Sequence, residues 1–257
     1  MVKPLDEFLR AIDQGAGAVL ASATDYPVNW QIPAHQHEKH QLIYAIDGVM
    51  VVRCDHGQWT VPPSRGIWMP GGHSHAIRCV GAVKMRSLFV RAGAAPALPA
   101  STQVVRVSAL LSELIKTAVA IEPGYSEASR EGRVMRLILD ELALLPTLPL
   151  HLPQPAEPRL RQITQALQQD PGAATTAAQW SARLNVDEKT LQRLFRRHTG
   201  MTFGQWRQQA RLLQALERIA QGEKIIDVAG GLGYDSPSAF TTMFKKHFGT
   251  TPSQFFR

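Results

Sequence analysis

No run of eighteen or more apolar residues occurs in this chain of 257 residues, which argues against a membrane-spanning helix. The opening MVKPLDEFLR has no apolar core of the kind a secretory signal carries, so the chain reads as cytoplasmic with no membrane partner. Cysteine is scarce. Cys54 and Cys79 are the whole complement, both in apolar strand-like runs, and in a reducing compartment such a pair reads as buried thiols rather than a disulfide. Net charge is missing from residues 1–158, where 14 Lys and Arg meet 14 Asp and Glu. The whole excess of +7 lies in residues 159–257, with 14 basic against 7 acidic side chains. A basic half joined to a neutral half is the pattern of a polyanion-binding module attached to something else.

What is present divides the chain in the same place. An apolar content of 44% with 19% charged residues describes a folded globular chain, long enough for two domains with separate cores. The stretch LLPTLPLHLPQPAEP (144–158) holds five prolines in fifteen residues and reads as a semi-rigid linker, because proline breaks both helices and ladders. The expected domains are therefore 1–145 and 159–257, joined by a linker over 146–158. Within 18–90, QLIYAI, VMVVRC, QWTV, GIWM, AIRCV and KMRSLFV read as short strands, and Asp47-Gly48 suits a tight hairpin turn. Many short strands without helices between them imply a sandwich or barrel, in which Tyr44, Trp59, Trp68 and Phe89 read as core. Helical spacing over 107–121 and 126–145 adds two helices that pack on the barrel or on a second subunit. Downstream, PRLRQITQALQQD, TAAQWSARL, EKTLQRLFRRH, TFGQWRQQARLLQALERIAQ, KIIDVAGGL and SPSAFTTMFKKHF form an all-α bundle.

That bundle contains one phrase written twice, FRRHTGMTFGQW at 195–206 and FKKHFGTTPSQF at 244–255. Each copy closes a helix–turn–helix. In the first, Asp187 is placed to cap a helix whose inner face is Leu191, Leu194 and Phe195. In the second, Phe240, Met243 and Phe244 face inward. An exposed face backed by such an apolar face fits a helix entering a major groove. Arg196-Arg197 and Lys245-Lys246 then meet phosphates one turn on, and Gly200 and Gly249 suit left-handed helix ends. On these residues, 159–257 resembles the double helix–turn–helix domain of the AraC/XylS family of bacterial transcription regulators, through GYDSPSAFTTMFKKHFGTTPSQF above all. The resemblance implies base contacts by Lys189, Gln192 and Arg193 from the first unit. From the second it implies contacts by Pro237, Ser238, Thr241 and Thr242. These second-unit side chains are smaller than those the family often carries. Gly230-Gly231 is a further oddity, since each glycine weakens a helix interior by about 1 kcal/mol relative to alanine.

Six of the nine histidines lie between residues 35 and 75: His35, His37, His40, His56, His73 and His75. Two histidines at i and i+2 on a strand share a face, and a third from a later strand completes a facial metal site. PAHQHEKHQLIYAIDG and MPGGHSHAI resemble the two cupin motifs, and the whole chain then resembles the cupin-bearing branch of the AraC family, which includes regulators of efflux genes. The resemblance implies His35, His37 and His75 as a metal triad with position 41 as fourth ligand. Here that residue is Gln41, where cupins usually carry Glu. Three readings stay open for the cluster: one divalent metal (Zn, Ni or Fe), a metal-free effector pocket, or structural histidines on a barrel rim.

The expected architecture is α+β and multidomain: an N-terminal cupin-like β-barrel with appended helices, then an all-α double helix–turn–helix domain. The expected function is a regulator, activator or repressor, of an efflux or catabolic gene. It binds double-stranded DNA, is controlled by a small-molecule effector or metal, forms a homodimer and, as an activator, meets RNA polymerase. The alternative is a metal-dependent cupin enzyme fused to a DNA-binding domain. Against catalysis, Glu38 and Asp47, the carboxylates close in sequence to His35, His37 and His40, do not form a convincing acid–base pair.

Overall fold

A computed structural model describes residues 4–55, 57–94 and 98–256; His56 lies outside them. The chain forms two compact units, the first of residues 1–54 and 59–151, the second of 55–58 and 152–257. Among the described residues no helix is long and apolar enough to cross a membrane.

The first unit opens with helix α1 (Leu5–Gln14) and strands β1 (Val19–Tyr26) and β2 (Gln31–His35). There follow β3 (His40–Cys54), β4 (Gly57–Val61), β5 (Arg65–Met69), β6 (His75–Val90) and β7 (Gln103–Arg106). Helices α2 (Ala109–Ala118) and α3 (Arg130–Ala143) come next, then the short strand β8 (Thr147–Leu148), while β9 (His151–Pro153) straddles the chain boundary between the units. Pairing runs β1-β6-β3-β5-β7-β8, with β2 beside β6 and β4 beside β3. Among the described residues the path is open, with β1 at one end and β8 at the other, so the expected barrel is an open sheet. Two expectations change. The four strands read over 41–54 and 76–90 are two long ones, because Asp47-Gly48 makes a bulge and not a hairpin. The β3–β6 register shifts on both sides of Asp47, Gly48 takes φ 83°, and the strand bends while continuing. The proline-rich stretch is not a free linker at its start. Thr147 and Leu148 pair with Val105 and Val104, and Leu150 is fully buried.

Strand alternation gives the sheet two distinct faces. Leu42, Tyr44 and Leu88 pack with Leu111 and Ile115 of α2 and Met135, Ile138 and Leu142 of α3 into one cluster. The other face of the same strands carries Gln41 opposite Phe89 and Ile43 opposite Ser87.

The second unit contains α4 (Pro158–Gln169), α5 (Ala177–Arg183), α6 (Glu188–Thr199), α7 (Phe203–Ala220), α8 (Ile225–Gly231), α9 (Pro237–Phe248) and α10 (Pro252–Phe255). The caps explain the boundaries. Thr176 and Thr202 each form a reciprocal capping box, with Gln179 and Gln205, and the Asp187 carboxylate accepts from Thr190 N–H at 2.8 Å. Gly200 and Gly249 end α6 and α9 in the left-handed region, at φ 72° and 75°. At the core, Trp206, Phe195, Phe240 and Phe244 are fully buried.

Candidate functional site

The two helix–turn–helix units each bury an apolar face and expose a polar one. On α6, Leu191 and Phe195 are fully buried, while Lys189, Arg193, Arg196 and Arg197 are exposed. On α9, Phe240 and Phe244 are buried inward, while Pro237, Ser238, Thr242, Lys245 and Lys246 are exposed. Leu194, Met243 and Thr241 are half-buried, so the second unit offers bases still less than its short side chains suggested. Gln192 is only partly available to bases, because its Oε1 accepts from Phe203 N–H at 3.2 Å. This bond ties α6 to the first turn of α7.

Not every basic residue of this unit is turned to solvent for phosphates. Arg211 donates to Pro171 O at 2.6 Å and Arg207 to Thr175 O at 3.1 Å, both holding the α4–α5 connection. Arg218 donates through Nε to Glu223 at 2.8 Å. The anchored Arg218 guanidinium also explains Gly231, since a Cβ there would run into it. Gly230 has no such neighbour, and nothing in the structure explains it.

In the first unit His35, His37 and His75 come together. His35 pairs with His75 across β2 and β6, and one ring nitrogen from each of the three lies within 4.8 Å of the others. The expected i, i+2 strand geometry does not produce this. Strand β2 ends at His35, and His37 sits in the following loop, where its carbonyl accepts from Gly72 N–H at 2.8 Å. The loop is also fastened to the end of α1. Glu38 N–H donates to the Asp13 carboxylate at 3.1 Å, and the buried Lys39 ammonium donates to Asp13 O and Gly15 O, each at 3.0 Å. Among the remaining histidines, His40 accepts from Gly71 N–H at 3.0 Å, and His73 turns its Nδ1 to Pro70 O at 3.2 Å.

The hydrogen bonds fit the three rings to hold a cation. Each Nδ1 faces a backbone carbonyl: His35 to Pro33 at 2.9 Å, His37 to Lys39 at 2.7 Å and His75 to His73 at 3.0 Å. A carbonyl only accepts, so Nδ1 carries the hydrogen and Nε2 keeps its lone pair, the tautomer a metal ligand needs. Burial pushes the His75 imidazole down to about 3, which keeps it neutral. Its Nε2 is buried with no hydrogen-bond partner among the described residues. His37 Nε2 lies 2.9 Å from Gln41 Oε1, and the Gln41 amide nitrogen donates to Ser87 Oγ at 3.2 Å. An amide oxygen facing an imidazole lone pair is an arrangement that a cation between them relieves. Lys39 and Ser87 escaped the sequence reading. Ser87, a polar residue inside the apolar run KMRSLFV, was a usable signal. Glu38 and Asp47 are both exposed, and Asp47 accepts from its neighbour Gly48 N–H at 2.9 Å.

The chain is similar to known proteins along most of its length. Residues 18–194 match the AraC-like ligand binding domain, and residues 180–257 match a helix-turn-helix domain. The chain is 34% identical over 223 residues to the HTH-type transcriptional regulator NimR of Escherichia coli (strain K12), covering 87% of this chain and 81% of that protein. It is 34% identical over 122 residues to the HTH-type transcriptional regulator RipA of Corynebacterium glutamicum, covering 48% of this chain and 35% of that protein. Among solved structures, ToxT from Vibrio cholerae aligns over 95% of this chain and 96% of its own at 12% identity, with a TM-score of 0.37. Two helix–turn–helix units carrying the basic excess, behind a ligand-binding sheet domain, are what the AraC family of transcription regulators is built from, and this chain belongs to that family.

Proposed function

We propose that this regulator reads a signal at the imidazole cluster, where His35, His37 and His75 hold one divalent ion (zinc, nickel or iron) with Gln41 as a fourth, neutral oxygen donor. The observation that carries this is the buried His75 Nε2, which has no hydrogen-bond partner among the described residues while its Nδ1 is satisfied. A bound ion would act as a Lewis acid towards an effector atom. The chain's own residues fix the rings, exclude water around His37 and His75, and orient the amide through Ser87. Full-length protein purified without chelators is expected to carry about one divalent ion per chain by elemental analysis. His37→Ala should remove the ion and Gln41→Glu should tighten it by adding a charged oxygen. Metal-free protein that binds no added zinc and still responds fully to its effector sinks the reading.

The regulator acts as a homodimer in this proposal. Leu110 on α2 and Leu137 on α3 are exposed apolar residues on the helices that cover the sheet, which supports a partner there. As an activator it would also meet RNA polymerase.

At the operator the two units divide the work: α6 specifies sequence and α9 holds register on the backbone. Arginine grips guanine O6 and N7 with two bonds, whereas serine and threonine hydroxyls reach few base edges. Arg193→Ala is expected to cost about 1–3 kcal/mol and to relax preference at one or two base pairs. Lys245→Ala should weaken all sequences alike and flatten the salt slope by about one. Selection from a random DNA pool checks this. A Thr241→Ala, Thr242→Ala double variant that loses discrimination as sharply as Arg193→Ala contradicts the division.

A further inference from the structure

We infer that the cavity bounded by α1, β1 and β2 is the effector pocket, and that it takes a small amphipathic organic anion with an aromatic body. The inference rests on the assignment of the N-terminal unit as ligand-binding, and it does not require the metal. The cavity measures about 670 Å³, within the range of small-molecule sites. Five consecutive residues of β1, Ser22 to Tyr26, line it, so the strand meets the cavity edge-on. Phe8 of α1 forms part of the wall and is fixed edge-to-face on Phe89 at 5.9 Å. Tyr26 and Trp30 stack at 6.2 Å with an interplanar angle of 27°, giving the wall a flat aromatic surface.

The charge in the wall decides the ligand class. Arg86 lines the cavity with its side chain only 18% exposed, paired at 2.8 Å to Asp25, which is 62% exposed. Both hydrogen bonds of Arg86 among the described residues, to Asp25 and to Met85 O at 2.7 Å, use Nη1. Nε and Nη2 therefore remain for a ligand, and together they form the edge that grips a carboxylate with two parallel bonds. An incoming anion on that edge need not displace Asp25, which stays on Nη1 and is exposed enough for water to screen its charge. A cation would have to face a guanidinium that cannot leave. Ser22, Thr24 and Gln31 add neutral hydrogen-bonding groups for the rest of the molecule.

The cavity is linked to the imidazole cluster by one shared wall, Pro33, and through Phe89 behind another, Phe8. Pro33 lines it, and the Pro33 carbonyl holds His35 Nδ1. Phe89 stands between Phe8 and His37, 5.4 Å from the imidazole centroid. A ligand that moves Phe8 or Pro33 thus presses on two of the three rings.

The test uses chelator-treated full-length protein, so that failure of the metal site leaves it standing. 3-Phenylpropionate and its neutral isostere 3-phenylpropionamide are titrated by calorimetry and tryptophan fluorescence, with Trp30→Phe assigning the optical signal. The acid is expected to bind saturably, roughly tenfold or more tighter than the amide, because a charge-assisted bond exceeds a neutral one. Arg86→Gln should bring the acid down to the amide's affinity, and Asp25→Asn should tighten the acid by removing a nearby negative charge. If Arg86→Gln does not fold, Asp25→Asn decides alone: tightening supports the anion, no change overturns it. Equal binding of acid and amide overturns the ligand class and leaves the cavity as the site. Binding of neither probe, or binding that leaves Trp30 unaffected, overturns the cavity itself, while the ligand-binding assignment of the domain stands on its own comparison.

Discussion

Operator affinity of the full-length protein is expected to fall about 10²- to 10³-fold per bound chain when monovalent salt rises from about 50 to about 200 mM. The size follows from which basic residues are left for phosphates. Residues 159–257 contain 14 Lys and Arg, and the charge excess alone would assign all of them to DNA. The structure removes several. Arg207 and Arg211 hold backbone carbonyls, Arg218 holds Glu223, and Arg159 is paired with Glu157 at 2.6 Å. Arg196, Arg197, Lys245 and Lys246 are exposed in the last turns of α6 and α9, with Lys189 and Arg193 beside them. Four to six released counterions give a slope of about −4 to −5 in log affinity against log salt. Titration by fluorescence anisotropy at several salt concentrations measures it. A slope near zero denies the DNA interface, and one near about −12 denies that the arginines of α7 are committed elsewhere.

Trp206→Ala is expected to destabilise the second unit by about 3–5 kcal/mol, a large share of the 5–15 kcal/mol that holds an ordinary domain together. Trp206 is fully buried against Phe195, and its indole N–H donates to Pro153 O at 2.9 Å. Truncation opens a cavity beneath α6 and leaves that carbonyl without its donor. Trp206→Phe keeps much of the packing and drops the hydrogen bond with a smaller loss of volume, so it should cost about 1–3 kcal/mol. Urea unfolding followed in the far ultraviolet, with the m-value checked for two-state behaviour, separates the two. Equal, small losses from both variants would show that this side chain is not the keystone of the first helix–turn–helix.

How much of this was legible in the residues depended on whether the signal was local. The helices of the second unit begin and end within about a residue of the expected places, because Thr202, Asp187, Gly200 and Gly249 act within one turn of themselves. Strands β3 and β6 were misread as four because a bulge and a hairpin share the same short-range chemistry at Asp47-Gly48. Only the partner strand shows that the ladder resumes. Helix α1 escaped notice although LDEFLRAIDQ is amphipathic, and the stretch over 144–158 looked like a tether because buried Leu150 and Leu152 lie among prolines. The imidazole triad was legible as residue types. Its fitness for a cation was not, since the carbonyls of Pro33, Lys39 and His73 that set the tautomers have no side-chain signature. Arg86 and its unused edge belong to the same class: an ordinary strand arginine until the cavity beside it is seen.

The bond from Gln192 to the Phe203 amide has a consequence for retargeting this regulator to a new operator. Of the three side chains that the family resemblance assigns to base contacts on α6, Lys189 and Arg193 are exposed and Gln192 also fastens the helix to its neighbour. A library randomised at Lys189 and Arg193 alone samples new specificities on an intact scaffold. One that also varies Gln192 gives up a bond worth about 1 kcal/mol between α6 and α7 in most members, so a gain in specificity at that position comes with some loss of stability.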